Sequence, residues 1–298
     1  MAKVKSRMQR QETIAGWAFI TPYLILFLIF TFIPFVSAFV LSFTNVKFIT
    51  SIADSKFVGF SNFVKIFTNT EMMQALLRTA IYSVVYVPVI MVLGFVLAML
   101  VNKGVHAKNV VRSMVFMPYV SNMMAVGVVF SVMLGATGPL VGMLKSMGME
   151  NPPILLQSTT WALPTVAIIA VWKGIGLNMM TYLGALQNVN SELEEAAQID
   201  GANKWQRIRN VVIPMVSPTT FFLLISSIIT SLQNFTVIQA LTQGGPGQST
   251  TVMSTKIYQT AFVKQQMGMA SALSLILFAI VMIFTIIQWR GQNKWVNY

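Results

Sequence analysis

Six apolar runs separated by short polar segments organise this sequence, at about 17–43, 79–101, 114–134, 161–183, 219–241 and 270–289. A helix needs about 20 apolar residues to cross a bilayer, and a backbone in hydrocarbon must satisfy its own polar groups. The pattern therefore predicts an all-α integral membrane fold, one domain over residues 1–298 with six transmembrane helices. Pro22 and Pro34 lie within or near the first run and Pro88 interrupts the second, which predicts kinks that neighbouring helices satisfy. The third run opens with FMPYVSN, and the loop at 135–159 is marked by turns at Thr137-Gly138-Pro139 and Asn151-Pro152-Pro153. Between the first two runs, FVGFSNFVKIF at 57–67 has the aromatic spacing of an interfacial amphipathic helix.

One stretch breaks the apolar pattern. Residues 191–218, SELEEAAQIDGANKWQRIRNVVIPMVSP, read as two short amphipathic helices with a hinge. Ser191 and Glu194 have capping-box spacing, so the first helix is predicted to start at Glu192. Acids crowd its first turn, where the helix dipole favours them, and Gly201 supplies a left-handed stop. Asn203 and Gln206 repeat a weaker cap. Trp205, Ile208 and Val212 then recur at helical spacing until Pro214 ends the pattern. A helix this short is marginal alone in water and must dock on something. By physics alone, that something is the protein's own surface.

Composition agrees with a membrane protein: 9% of residues are charged, against about 25% in soluble domains. The net charge of +12 does not point to nucleic acid, because the bases cluster in short segments beside apolar runs. Twelve of the twenty Lys and Arg fall on one side of a six-span arrangement and seven, over longer loops, on the other, with Lys173 inside the fourth run. This bias places both termini and the helix pair in the cytoplasm. The first run is too long for the apolar part of a signal peptide and lacks a small-residue cleavage site, so it is read as an uncleaved span. There is no cysteine, which excludes disulfides and thiolate chemistry, and no phosphate-binding G-x-x-x-x-G-K-[ST] loop. His106, between Lys103 and Lys108, reads as a solvated loop residue. No catalytic residue, cofactor or metal site is expected.

Polar residues inside the apolar runs are the candidates for transport chemistry. In the fifth run Ser227, Ser231 and Asn234 share a helical face, with Ser226, Thr230 and Gln233 beside them. Such residues either glue helices together or line a hydrophilic path, where amides and hydroxyls match a polyhydroxy solute. Gln233 and Asn234, with Asn122 and Asn178, are the candidates for the lining. Lys173 either pairs with a carbonyl or snorkels.

The phrase Glu195-Ala196-Ala197, followed at a fixed interval by Gly201 and then by Ile208 and Ile213-Pro214, resembles the EAA motif in permease subunits of ATP-binding-cassette (ABC) importers. FVGFSNF, LTQGGP at 241–246 and MGMASALSLILF at 267–278 resemble phrases of the carbohydrate-uptake, maltose-transporter-type permeases, glycerol-phosphate and oligosaccharide importers among them. The resemblance covers nearly the whole chain. It implies that the loop between spans four and five is a cytoplasmic coupling helix seated in an ATPase cleft, with Glu195, Ala196, Ala197, Asp200, Gly201 and Ala202 as the coupling residues. It implies as partners a second, different permease subunit, two copies of an ABC ATPase and an extracytoplasmic solute-binding protein, with a sugar as substrate. The setting is then the cytoplasmic membrane of a bacterium or archaeon. Some relatives carry extra N-terminal spans and a large outer domain, neither of which is present in this sequence, so the docking surface for a binding protein stays undefined.

The alternative reading is a stand-alone secondary transporter of a polar solute. Such carriers place ionisable residues in their spans, and here only Lys173 qualifies. A membrane enzyme would need paired carboxylates, a usable His or Cys, or a metal-ligand cluster in the spans, and the sequence offers none.

Overall fold

The computed structural model describes residues 7–47, 55–102 and 107–292. The basic residues Lys3, Lys5, Lys103 and Lys294 and the lone His106 lie outside the described residues. Among those described, the fold is all-helical, without a strand; an isolated antiparallel bridge joins Thr44 and Phe57.

Four helical stretches are long and apolar enough to cross a membrane: residues Arg10–Leu41, Thr70–Asn102, Ala162–Gln187 and Met267–Gly291. Two further pairs of helices qualify only if each bent pair is taken as one span, which raises the number to as many as six. The first stretch comprises α1 (Arg7–Phe27), a π-turn (Leu28–Phe32) and α2 (Ile33–Leu41). Pro34 follows directly on that π-turn, where Ile33 N–H donates to the Leu28 carbonyl, so the ladder has widened before the residue that lacks an N–H. Pro22 and Pro88 sit inside α1 and α4 (Thr70–Asn102).

The chain divides into two compact units. One comprises residues 1–66 and 259–275. Its first span buries none of its most apolar window, so a row of large apolar side chains stands bare. Beyond that span Asn62 Nδ2 ties the chain down, donating to the carbonyls of Ser42 and Thr44 at 2.8 Å each. Asn62 opens the amphipathic helix α3 (Ser61–Thr68), and Phe43 packs among Phe57, Phe60 and Phe63.

The other unit, residues 67–258 and 276–298, is built on α4 and α8 (Ala162–Gln187), which pack along much of their length. One apolar cluster gathers Tyr82, Tyr86 and Ile90 of α4 with Val166 and Ala170 of α8 and Ile238. A second gathers Ala98 and Val101 with Tyr182, Leu183 and Leu186, and with Val212 and Val216 from the charged loop. The long loop at 135–159 includes a short helix, α7 (Pro139–Ser146).

Two predicted spans need correction. The third is not one helix over 114–134: α5 (Lys108–Val120) turns by 97° into α6 (Met123–Met133). Asn122 starts α6 as its N-cap, its Oδ1 accepting from Met124 N at 2.8 Å and Ala125 N at 3.4 Å. The end of α5 is held by Lys173, whose Nζ donates to the carbonyls of Pro118 (3.1 Å), Tyr119 (3.1 Å) and Ser121 (2.7 Å). The fifth is not helical to residue 241. α12 (Ser217–Leu232) stops before Gln233, and α13 (Thr236–Leu241) starts anew after Asn234. Asn234 serves this break, with Nδ2 donating to the Tyr82 hydroxyl and Oδ1 accepting from Val237 N.

After α13 the LTQGGP turn is folded around threonines. The hydroxyls of Thr242 and Thr250 meet at 2.7 Å, and Thr250 and Thr251 donate to the carbonyls of Gly245 and Gly244. The chain then enters α14 (Met253–Tyr258), where Ser254 Oγ reaches back to the Asn234 carbonyl. After a π-turn (Gln259–Val263), α15 (Met267–Gly291) closes the described chain.

Candidate functional site

Two features stand out: a helix pair with an unpartnered apolar face, and a cavity among the spans with uncharged polar side chains in its wall.

The pair consists of α9 (Ser191–Ile199) and α10 (Lys204–Arg207). The predicted Ser191–Glu194 box is replaced by a cap one residue earlier: Asn190 Oδ1 accepts from Glu192 N at 3.0 Å, and Ser191 is the first helical residue. An Asx oxygen at the N-cap does what the serine hydroxyl was expected to do. The end of α9 is a Schellman motif, with Ala202 N donating to Ala197 O (2.9 Å) and Gly201 N to Gln198 O (3.1 Å). Gly201 stands at φ +81°, which its lack of a side chain permits. Asn203 and Gln206 form a reciprocal capping box, and Arg207 Nη1 donates to Gln198 Oε1 at 2.6 Å, tying the two helices.

Beyond α10 the chain runs through a π-turn (Ile208–Val212) and α11 (Ile213–Met215) and bends by 69° into α12. Pro214 therefore does not end the helix at once. It follows a π-turn, as Pro34 does, and the bend comes two residues later at Val216. Val212 and Val216 are buried against α4 and α8, so the loop is rooted in the spans. Its tip is not covered. Ile199 is 87% exposed and Trp205 66%, with Leu193 exposed as well. Leu193, Ala196 and Ile199 share one helical face, beside the exposed Glu195 and Asp200, while Ala197 and Ala202 are half-buried. Sequence reasoning selected the small and charged residues here, passed over Leu193 and Ile199, and read Trp205 as part of the apolar pattern of α10, because apolar residues of an amphipathic helix are by default assigned to the inside.

The second feature is a cavity of about 290 Å³ between α4, α5, α8 and α12. The polar side chains lining it are Tyr86, Tyr119, Asn178, Thr181, Ser226, Ser227 and Thr230, all uncharged. Asn178 is 6% exposed, and its Oδ1 is buried without a hydrogen-bond partner among the described residues. A buried acceptor left empty costs about 1–3 kcal/mol. The wall permits this geometry because glycines let helices close in. A Cβ on Gly174 would lie 3.1 Å from the Tyr86 hydroxyl, and one on Gly176 would lie 2.5 Å from the Val115 carbonyl.

Of the four amides expected to line a path, the cavity takes Asn178 and not Asn122, Gln233 or Asn234. Asn122 and Asn234 spend side-chain bonds on helix breaks, and Gln233 is exposed at the end of α12. The polar face of α12 divides. Ser231 bonds to Ser83 of α4 at 2.9 Å, which is interhelical glue, whereas Ser226, Ser227 and Thr230 face the cavity. Tyr86 and Tyr119 were missed, since tyrosines within apolar runs carry no periodic signal apart from packing.

Residues 90–290 match the family described as the binding-protein-dependent transport system inner membrane component. The chain belongs to this family. Such components are permeases, and the similarity extends over whole proteins. The chain is 32% identical to the probable ABC transporter permease protein YesP of Bacillus subtilis, over 100% of this chain and 96% of that one. It is also 32% identical to the lactose transport system permease protein LacF of Rhizobium radiobacter, over 97% and 98%. With the sn-glycerol-3-phosphate transport system permease protein UgpA of Agrobacterium fabrum it shares 34% identity, over 82% and 83%. The permease fold is likewise that of a chain in the crystal structure of a bacterial alginate ABC transporter bound to a periplasmic protein carrying an alginate pentasaccharide. The TM-score is 0.84 and the identity 23%, with 95% and 96% of the two chains covered.

Proposed function

We propose that this permease conducts a sugar or sugar derivative through the cavity at Asn178, in an importer driven by a separate ABC ATPase. The observation that carries this reading is a cavity whose wall gathers the Asn178 amide with the hydroxyls of Thr181, Ser226, Ser227 and Thr230 and holds no charged side chain. The Asn178 amide and the Ser and Thr hydroxyls serve as donors and acceptors to sugar hydroxyls, and the faces of Tyr86 and Tyr119 cover apolar sugar C–H surface. Without charge in the wall, the solute is held weakly enough to leave. The names of the relatives, which include lactose and sn-glycerol-3-phosphate systems, support the substrate class.

In this reading α9 is the coupling helix. The exposed Leu193, Ala196 and Ile199 enter a cleft of the ATPase, with Trp205 beside them, and Glu195 and Asp200 flank the contact. Ala197, Gly201 and Ala202 form the tight exit that brings α10 back toward the spans. Closure of the ATPase pushes on α9, and the buried Val212 and Val216 pass the movement to α4 and α8. The bent pairs α5–α6 and α10–α12 each count as one span, giving six with both termini cytoplasmic. The bare first span supports a second, different permease subunit as its cover. Two ATPase copies and an extracytoplasmic solute-binding protein complete the assembly in the cytoplasmic membrane.

The test is reconstitution of the affinity-purified complex in liposomes with internal ATP, followed by uptake of labelled lactose, maltooligosaccharides and sn-glycerol-3-phosphate delivered with the solute-binding protein. ATP-dependent uptake of one of these is expected, together with copurification of an ATPase. Uptake that runs on an ion gradient without ATP would instead establish a stand-alone carrier.

A further inference from the structure

We infer that Lys173 is a positioning residue for transport: from α8 it clamps the broken end of α5 and so holds Tyr119 in the wall of the substrate cavity. This rests on the cavity at Asn178 being the substrate path.

A lysine in an apolar span is costly, and it persists where it has partners. The partners here are the carbonyls of Pro118, Tyr119 and Ser121, between 2.7 and 3.1 Å from Nζ. An ammonium has three N–H donors, and three carbonyls receive them. These carbonyls belong to the last turn and C-cap of α5, where the chain turns away by 97°; that of Pro118 also accepts from Ser121 N (3.3 Å) and Ser121 Oγ (2.6 Å). A cation at a helix C-terminus also meets the negative end of the dipole. Lys173 therefore adds hydrogen bonds and a charge at the break, from a residue more than fifty positions away in sequence.

The clamp is tied to the cavity by geometry. Gly176, three residues along α8 and on the face toward α5, approaches the Val115 carbonyl so closely that no side chain fits. Lys173 and Gly176 thus fix the end of α5 at two points. Tyr119 offers its carbonyl to Lys173 and its side chain to the cavity, with Asn178 one further turn along α8. A lysine serving only stability would have no reason to govern how Tyr119 meets a solute. A lysine that positions Tyr119 would act on solute affinity through that ring.

A double-mutant cycle in the reconstituted complex distinguishes the two, using the labelled compound that the wild type carries from the uptake panel. Lys173→Met should raise the half-saturating concentration by about tenfold, the scale of one misplaced aromatic contact in the site. In a Tyr119→Ala background, which lacks the ring, the same substitution should add little. Equal effects in both backgrounds, or unchanged half-saturation, would overturn the proposal. Should Lys173→Met fail to assemble, Lys173→Gln, which keeps two donors, carries the same cycle with a smaller expected shift. A second readout needs no substrate: in this cysteine-free chain, Tyr119→Cys should change its rate of labelling by a water-soluble maleimide several-fold when Lys173→Met is added, while Ser146→Cys does not. Identical labelling with and without Lys173 would also overturn it. If Asn178→Leu leaves uptake unchanged, the cavity itself is not the path; if Asn178→Leu impairs uptake but the cycle is additive, only the role of Lys173 fails.

Discussion

Gly94 of α4 and Asn178 of α8 meet backbone to backbone: a Cβ placed on Gly94 would lie 2.8 Å from the Asn178 Cβ and 3.5 Å from the Met179 nitrogen. Small residues at such crossings let membrane helices approach closely, and here the approach sets the amide of Asn178 into the cavity. Gly94→Ala cannot be absorbed by a flexible side chain, because the atoms it meets lie in or next to the α8 backbone. Overpacking of this kind costs about 1–3 kcal/mol. A lower melting temperature in detergent is expected for Gly94→Ala. Gly184→Ala, also in α8 but with open space around its Cβ, should leave it unchanged or slightly raised. Equal melting of the two variants would contradict the close crossing.

Asn178 itself should separate stability from transport. Its Oδ1 lacks a partner among the described residues, so removing the acceptor relieves a desolvation cost of about 1–3 kcal/mol. Asn178→Leu, similar in volume, is expected to assemble with its partners and melt no lower than the wild type, while uptake falls about tenfold or more through the lost solute contact. Undiminished uptake would remove the cavity from the path.

Four long apolar helices were legible because hydrocarbon demands such helices and little else produces them. The breaks were not. Proline is tolerated inside membrane helices, so Pro118 did not announce the end of α5, and the cation that holds this end lies far off at Lys173. The cap of α9 was misplaced by one residue because Asn190 and Ser191 are both good caps, and only the backbone conformation decides between them. Asn178 was legible as a polar residue in an apolar run, but Tyr86 and Tyr119 were not, since an aromatic that packs and one that lines a cavity have the same spacing. Lys256, one of the seven cations that the charge pattern assigns to the longer loops, is 1% exposed.

That lysine gives an asymmetric prediction. Lys256 Nζ lies 2.7 Å from Glu71 Oε2, with the lysine side chain buried and the glutamate half-exposed. Removing the glutamate leaves a buried cation with weakened compensation, which costs about 3 kcal/mol. Removing the lysine lets the glutamate turn to water. Glu71→Ala should therefore lower the melting temperature clearly more than Lys256→Met, whose chain fills the same space. The reverse order in a thermal melt would show that the pair is not what holds α14 to α4.

The helix α9, proposed to couple to the ATPase, allows strain and surface chemistry to be tested separately. A Cβ at Gly201 would meet nothing within 4 Å, so any penalty there is backbone strain alone, at φ +81°. A β-branched residue is an outlier at positive φ, and a left-handed position costs an L-residue about 1–2 kcal/mol. Gly201→Val should thus unseat the Schellman turn, whereas Gly201→Asn, which tolerates this region, should be nearly silent. Ile199 is the complementary case. Its side chain is almost entirely exposed in the chain by itself, and surface substitutions away from special features usually fall within about 0.5 kcal/mol. Ile199→Glu should accordingly leave insertion and melting of the isolated permease unchanged. In the complex it would place a charge in an apolar contact, and a truncated or repelled anchor at an interface typically costs 2 kcal/mol or more, about thirtyfold in affinity. Copurification of the ATPase should therefore collapse for Ile199→Glu and weaken for Gly201→Val, but not for Gly201→Asn. Met147→Glu, at a comparably exposed methionine far from the pair in sequence, serves as the control and should retain the ATPase. If Ile199→Glu and Met147→Glu retain it equally, α9 is a surface loop and the apolar face at its tip has another purpose.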